Sequence, residues 1–212
     1  MARRMSTIEH FFVTKIYRTV LRGKAIQALN ADLSRAAHVF AEDDHAGRAW
    51  SAAKNYGGYT SYASLNDLTW RAPEFGDLKG HIDGHVRTFA RDLDFDLGGA
   101  ALTLNSLWVN LLEPGGSHSA HIHPHSVLSG TYYVDVPAGA GAIRFEDPRH
   151  AMMMAAPPRK PRAKRENQPF VTIEPKAGML LLWESWLRHD VPRNDSEAAR
   201  LSVSFNYGWG DA

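Results

Sequence analysis

The sequence predicts an α+β fold in which helices pack on one β-sandwich or barrel. The first observation behind this is order: helical periodicity fills the N-terminal half, and short strand-like runs fill the rest. The second is size, since 212 residues support one well-filled core with about 70% of the unfolded surface buried. The third is that the helical half carries too little apolar surface for a core of its own. We therefore read 1–212 as a single domain, with a helical part over about 1–100 and a β core over about 101–210.

From about Arg22 to Phe40, the residues Ile26, Leu29, Leu33, Ala36 or Ala37, and Phe40 recur at spacings of three and four. That is one face of a helix. Asn55 to Tyr62 is rich in Gly, Tyr and hydroxyl residues, which predicts a loop with short extended pieces. A second helix spans about Ala72 to Leu93, striped by Leu78, Ile82, Val86, Phe89 and Leu93, with Pro73 where a first turn tolerates it. After Leu97-Gly98-Gly99 the pattern turns to strands, expected at 101–112, 128–136, 142–146, 170–174, 178–188 and 199–208. Glu113-Pro114-Gly115-Gly116, Pro137-Ala138-Gly139 and Glu174-Pro175-Lys176-Ala177-Gly178 are the turns between them. Residues 151–169 hold Met152, Met153 and Met154, four prolines, and Arg159, Lys160, Arg162, Lys164 and Arg165. A solvated loop is the default reading there, and a lid or basic lip over a substrate site is the functional one.

Composition narrows the function. Lys and Arg number 24 against 23 Asp and Glu, a formal charge of +1, so no nucleic-acid partner is expected. Cysteine is absent, which excludes disulfides, thiolate zinc, iron–sulfur clusters and thiol nucleophiles. No apolar run is long enough for a membrane span, and Met1 to Met5 lacks the apolar run of a secretory signal, so the expectation is a cytoplasmic protein with no membrane partner. A homodimer is the base-rate expectation.

Eleven histidines stand in the chain, and His118, His121, His123 and His125 fall together between two predicted strands. On an extended segment His121 and His123 project to the same side and can grip one metal ion, with Ile122 facing the core. Spacing alone does not choose among the four. A third ligand is expected from elsewhere, and His189, at the end of the apolar run Met179 to Leu187, is the best candidate. Imidazoles suit several metals, so ligand type does not name the ion. Further on, Arg200, Ser202, Ser204 and Asn206 share one face of a predicted strand, while Leu201, Val203 and Phe205 share the other. That is the pattern of a cavity-lining strand, and a guanidinium fork matches a carboxylate.

These residues carry a resemblance. His121-Ile122-His123-Pro124-His125-Ser126-Val127-Leu128-Ser129-Gly130-Thr131-Tyr132-Tyr133-Val134, then Phe145-Glu146-Asp147-Pro148-Arg149, Ser185-Trp186-Leu187-Arg188-His189 and Arg200-Leu201-Ser202-Val203-Ser204-Phe205-Asn206, resemble a bacterial and phage branch of the Fe(II)- and 2-oxoglutarate-dependent oxygenases. The resemblance covers about residues 104–208. It implies a double-stranded β-helix (a jelly-roll, cupin-like barrel) with N-terminal helices packed on the major sheet, and a dioxygenase that hydroxylates a small-molecule or peptide substrate while 2-oxoglutarate becomes succinate. The implied cofactors are Fe(II) and the cosubstrate 2-oxoglutarate. Metal ligation falls on His121 and His189, with His123 where most of the superfamily has a carboxylate. Arg200 matches the anchor of the distal carboxylate of 2-oxoglutarate and Ser202 the hydroxyl beside it, while Tyr133, Asn206 and Asn110 are candidate polar contacts. Trp108, Tyr132, Trp183 and Trp186 are candidate walls. Three imidazoles in place of two and a carboxylate leave two alternatives open: a three-histidine cupin-like dioxygenase or isomerase without 2-oxoglutarate, and a non-catalytic barrel that binds a metal or small acid.

Overall fold

The computed structural model describes residues 7–210. The apolar stripe of the first predicted helix becomes α1 (Lys24–Asp43), which buries Ile26, Leu29, Leu33 and Ala37. The second becomes α4 (Pro73–Asp92), with Pro73 in its first turn and Phe75, Leu78, Ile82, Val86 and Phe89 buried. Two shorter helices, α2 (His45–Ala53) and α3 (Leu68–Arg71), lie between them. No helix of the described residues is long and apolar enough to cross a membrane.

Among the described residues, ten strands build two sheets. They are β1 (Ile16–Val20), β2 (Gly58–Thr60), β3 (Thr103–Leu112), β4 (His118–His121), β5 (Leu128–Asp135), β6 (Ile143–Glu146), β7 (Phe170–Ile173), β8 (Met179–Glu184), β9 (His189–Val191) and β10 (Arg200–Gly208). The major sheet runs β1-β8-β5-β10-β3-β2 and the minor sheet β4-β9-β6-β7. All the pairings between these strands are antiparallel. Two facing antiparallel sheets with helices on the outside of the larger one are a double-stranded β-helix, the architecture the resemblance implied.

Side-chain alternation divides the major sheet between two cores. Val109, Leu111, Tyr132, Leu180, Leu182, Leu201, Val203 and Phe205 face α1 and α4. Tyr133, Met179, Leu181 and Trp183 face the minor sheet and meet Ile143, Phe145 and Leu187. Both faces are covered, which explains why β8 is apolar throughout. At Gly130 the Phe205 ring and the Leu181 carbonyl come so close that any Cβ would clash, so glycine lets the neighbouring strands pack there.

Several sequence expectations change. The short extended piece expected within 55–62 is β2, which joins the major sheet, whereas β1, in the nominally helical part, and β4 were not foreseen. The predicted strand 178–188 is two strands: β8 ends at Glu184, a turn closed by the Leu187 amide donating to the Glu184 carbonyl (2.9 Å) follows, and His189 opens β9 on the other sheet. Periodicity cannot see this, because both halves remain apolar while the chain changes sheets. Ile122 does not face the core but is 45% exposed, since β4 stops at His121 and alternation ends with it. Between β6 and β7, residues 151–169 form no strand and only 3-10 turns.

Candidate metal centre and cosubstrate pocket

Strands β4 and β9 and the segment just beyond β4 bring the histidines together. The β4–β9 pairing sets His121 opposite His189, and the His123 amide just beyond β4 donates to the Ser185 carbonyl at 3.0 Å. One ligand-capable nitrogen from each of His121, His123 and His189 lies within 4.8 Å of the others. His118 packs its ring 4.3 Å from His121 and edge-on to Tyr56, but does not join the group. His125 is exposed, on a left-handed residue with φ 66°.

Each of the three imidazoles is oriented through Nδ1. His121 Nδ1 meets the Ser119 carbonyl at 2.7 Å, and His189 Nδ1 meets the Leu187 carbonyl at 2.9 Å. A carbonyl only accepts, so both rings carry the proton on Nδ1 and keep the lone pair on Nε2. His123 reaches across to β10, where its Nδ1 donates to the Asn206 Oδ1 at 2.8 Å. The same oxygen accepts from Ser129 Oγ at 2.7 Å, and Asn206 Nδ2 donates to Ser106 Oγ at 3.2 Å. His123 Nε2 is buried and has no partner. A buried, unpaired nitrogen beside two like-oriented imidazoles is a donor set that could hold a divalent metal ion, and the residues fit one.

Electrostatics agree. Burial, with the neighbouring imidazoles adding to it, pushes His123 down to about 4 and His189 to about 3. Burial also lowers His121. The rings are therefore neutral near pH 7, the form that ligates metal. Around them Trp108 stacks on His123 with centroids 5.9 Å apart, and Trp183 stands edge-on to His189 at 4.7 Å. Tyr132 is no wall, for it lies in the helix-side core and donates to Asn30 Oδ1 at 2.6 Å. Trp186 is 47% exposed.

Farther along the barrel, Arg200 is 4% exposed on β10. Its guanidinium donates to the Gly141 carbonyl and lies 5.5 Å over the Tyr133 ring, and its Nε has no partner. Burial pushes the Tyr133 and Tyr56 hydroxyls up to about 12, and the Arg200 charge opposes the rise in both. Ser202, buried, pairs with Tyr133 across β10 and β5. Asn110 is already engaged, accepting from Thr60 Oγ1 at 2.8 Å and donating to Ser204 Oγ at 3.0 Å. Asn206 and Asn110, expected as cosubstrate contacts, thus have their amides bound within the protein. The orienting role of Asn206 escaped the sequence because its partner lies across the fold.

The comparisons with known proteins point the same way. The family model described as "Putative 2OG-Fe(II) oxygenase" matches residues 106–206, the stretch that carries His121, His123, His189 and Arg200. A Pseudomonas putida prolyl-4-hydroxylase superposes with a TM-score of 0.61 at 15% identity, covering 92% of this chain and 93% of its own. HygX from Streptomyces hygroscopicus, solved with nickel and 2-oxoglutarate, superposes with a TM-score of 0.57 at 13% identity, covering 92% and 82%. Against a 2OG-Fe(II) oxygenase family oxidoreductase of Burkholderia pseudomallei the chain spans 53% of that protein and 60% of its own length, at 13% identity and a TM-score of 0.45. A search of curated proteins finds no sequence match. At such identities the solved structures speak for the fold alone. The stretch 106–206, just under half of the chain, matches the model of a family described as putative 2OG-Fe(II) oxygenases, so this β core is similar to that family.

Proposed function

We propose that this chain hydroxylates a C–H bond of its substrate at an all-imidazole iron centre formed by His121, His123 and His189, with Arg200 holding the far carboxylate of 2-oxoglutarate. The observation that carries the reading is the gathering of the His121, His123 and His189 nitrogens within 4.8 Å, with buried, unpartnered nitrogens at His123 Nε2, Trp183 Nε1 and Arg200 Nε. Leaving such groups unpaired costs about 1–3 kcal/mol each, so their retention marks places where a ligand completes the hydrogen-bonding and coordination.

Iron and 2-oxoglutarate, when bound, supply the oxidation: O2 is reduced, the keto acid loses CO2 to become succinate, and one oxygen atom enters the substrate. The chain supplies geometry. The Nδ1 acceptors at Ser119, Leu187 and Asn206 hold the imidazoles in the ligating tautomer. Arg200 presents a buried cation to a carboxylate, and its contacts to Gly141 and Tyr133 hold it in place before the ligand arrives. Tyr133, with its hydroxyl held neutral, and Ser202 offer hydroxyl contacts on the same side. Trp108, Trp183 and Phe145 keep water away from the histidines. A three-histidine cupin-like enzyme would not need the interior guanidinium.

The test is turnover without a prime substrate. Protein reconstituted with Fe(II), ascorbate and O2 is expected to convert 2-oxoglutarate to succinate, and Arg200→Gln is expected to weaken 2-oxoglutarate binding about 10- to 100-fold while iron content stays unchanged. Absence of both 2-oxoglutarate binding and turnover would overturn the reading, and unaltered binding in Arg200→Gln would remove Arg200 as the anchor.

A further inference from the structure

From β3 onward, the longest connection between described strands leaves the minor sheet next to the histidines. His121, His189, Phe145 and Val171 lie side by side across β4, β9, β6 and β7. In the adjacent row Glu146 pairs with Phe170, and the Asp147 amide donates to the Pro169 carbonyl at 2.8 Å. Segment 147–169 therefore begins and ends with one row, that of Glu146 and Phe170, between it and the row that holds two of the three histidines. Ile122 and Trp186, 45% and 47% exposed, lie at the same end of the minor sheet, because residues 122 and 123 continue past β4 while 185–188 lead into β9. Arg188, next to His189, stands there too and pairs with Glu146 at 3.0 Å.

Charge is concentrated in this segment. It holds Arg149, Arg159, Lys160, Arg162, Lys164 and Arg165 against only Asp147 and Glu166, in a chain whose net charge is +1, so the rest of the molecule is net negative. Asp147 neutralises Arg149 at 2.8 Å. The other five cations are exposed, and among the described residues none forms an ion pair. The segment is also braced. Gln168 Nε2 donates to the Ala163 carbonyl at 3.0 Å and Arg165 to the Thr172 carbonyl at 3.2 Å, while His150 stacks edge-on to Phe170 at 5.1 Å and the Arg144 guanidinium covers the same ring at 5.0 Å. Like charges crowded together repel, and nothing in the fold offsets these five.

We propose that this segment is a basic lip that docks an acidic stretch of a polypeptide substrate and delivers a neighbouring residue, over Ile122 and Trp186, to the histidine site. The proposal deepens the oxygenase reading and rests on it for the reaction. A polypeptide is favoured because the cations are strung along a loop, matching carboxylates spaced along a chain, and do not converge on a single phosphate. Nucleic acid is disfavoured: residues 151–169 contain no aromatic ring on which a base could stack, and the chain lacks a broad excess of positive charge.

The experiment uses full-length protein loaded with Mn(II), a labelled oligoglutamate peptide, and an oligo-dT of equal charge. The comparison variant combines Arg159→Gln, Lys160→Gln, Arg162→Gln, Lys164→Gln and Arg165→Gln. Fluorescence anisotropy is expected to show oligoglutamate binding that weakens with salt and is about tenfold or more weaker in the variant. Paramagnetic broadening of the bound peptide's NMR signals by Mn(II) is expected in the wild type and lost in the variant, placing the peptide near the centre. Uncoupled 2-oxoglutarate consumption by the iron-loaded variant is expected to equal wild type. Equal peptide binding by variant and wild type, binding without broadening, or tighter and more strongly broadened oligo-dT would each overturn the proposal. Failure of Mn(II) to bind would count against the metal reading instead, and the anisotropy comparison would still decide the lip.

Discussion

Strand β10 has two faces that are both largely buried and chemically opposite. Leu201, Val203, Phe205 and Tyr207 pack into the helix-side core. Arg200, Ser202 and Asn206, buried to 8% exposure or less, look into the barrel. Solvent does not explain Arg200, Ser202 and Asn206, which are buried, although Ser204 on the same face is half-buried. Hydrogen bonds explain part of the polar face, as at Asn206, and Arg200 keeps one guanidinium nitrogen without a partner. The difference teaches that one alternating strand can hold the fold together on one side and build the site on the other, with little coupling between the two.

That separation can be tested from both sides. The largest effect is expected on the barrel face: His189→Ala should abolish stoichiometric iron binding and 2-oxoglutarate turnover, with far-UV circular dichroism unchanged. Metal analysis after gel filtration decides it, and full iron retention would exclude His189 as a ligand. On the opposite face, Phe205→Ala should remove about 3–5 kcal/mol of unfolding free energy in denaturant titrations. The metal-binding stoichiometry of the remaining folded protein should not change; a lost metal site would show the faces to be coupled.

Asn206→Leu is a finer probe, since it deletes the acceptor for His123 Nδ1. Metal affinity should fall about 10- to 100-fold, while Asn206→Asp, which keeps an acceptor oxygen, should recover most of it. If Asn206→Leu instead weakened only 2-oxoglutarate binding, Asn206 would be a cosubstrate contact after all. The smallest effect is pH dependence. His123 and His189 have folded-state values depressed to about 4 and about 3, so in acid the unfolded chain binds more protons than the native one. Metal-free protein should therefore lose stability as pH falls from about 6.5 toward those values, followed by thermal melts across that range. His189→Ala, lacking one of these buried rings, should flatten the slope.

The legible parts of the molecule are those that depend on neighbours in sequence. The stripe Leu78, Ile82, Val86, Phe89 placed α4 to within a residue or two, and alternation across 200–206 assigned both faces of β10. The His-x-His pair and His189 could be nominated together from their spacing and strand-end positions, and the structure brings their nitrogens within 4.8 Å of one another. Where the chain leaves a sheet, local pattern fails: Ile122 lost its expected burial at the end of β4, and the apolar run 178–188 concealed a crossing between sheets.

By itself, the sequence determined the class of architecture, the absence of sulfur chemistry and the residues available to hold a metal, since each follows from composition, periodicity or motif. Only the tertiary structure decided that His118 stands outside the cluster, that Asn206 serves His123, and that the basic segment begins near the histidine row. These are relations between groups brought together by sheet register, as with His123 and Asn206 across the barrel. A one-residue shift in that register would send every side chain of a strand to the other face.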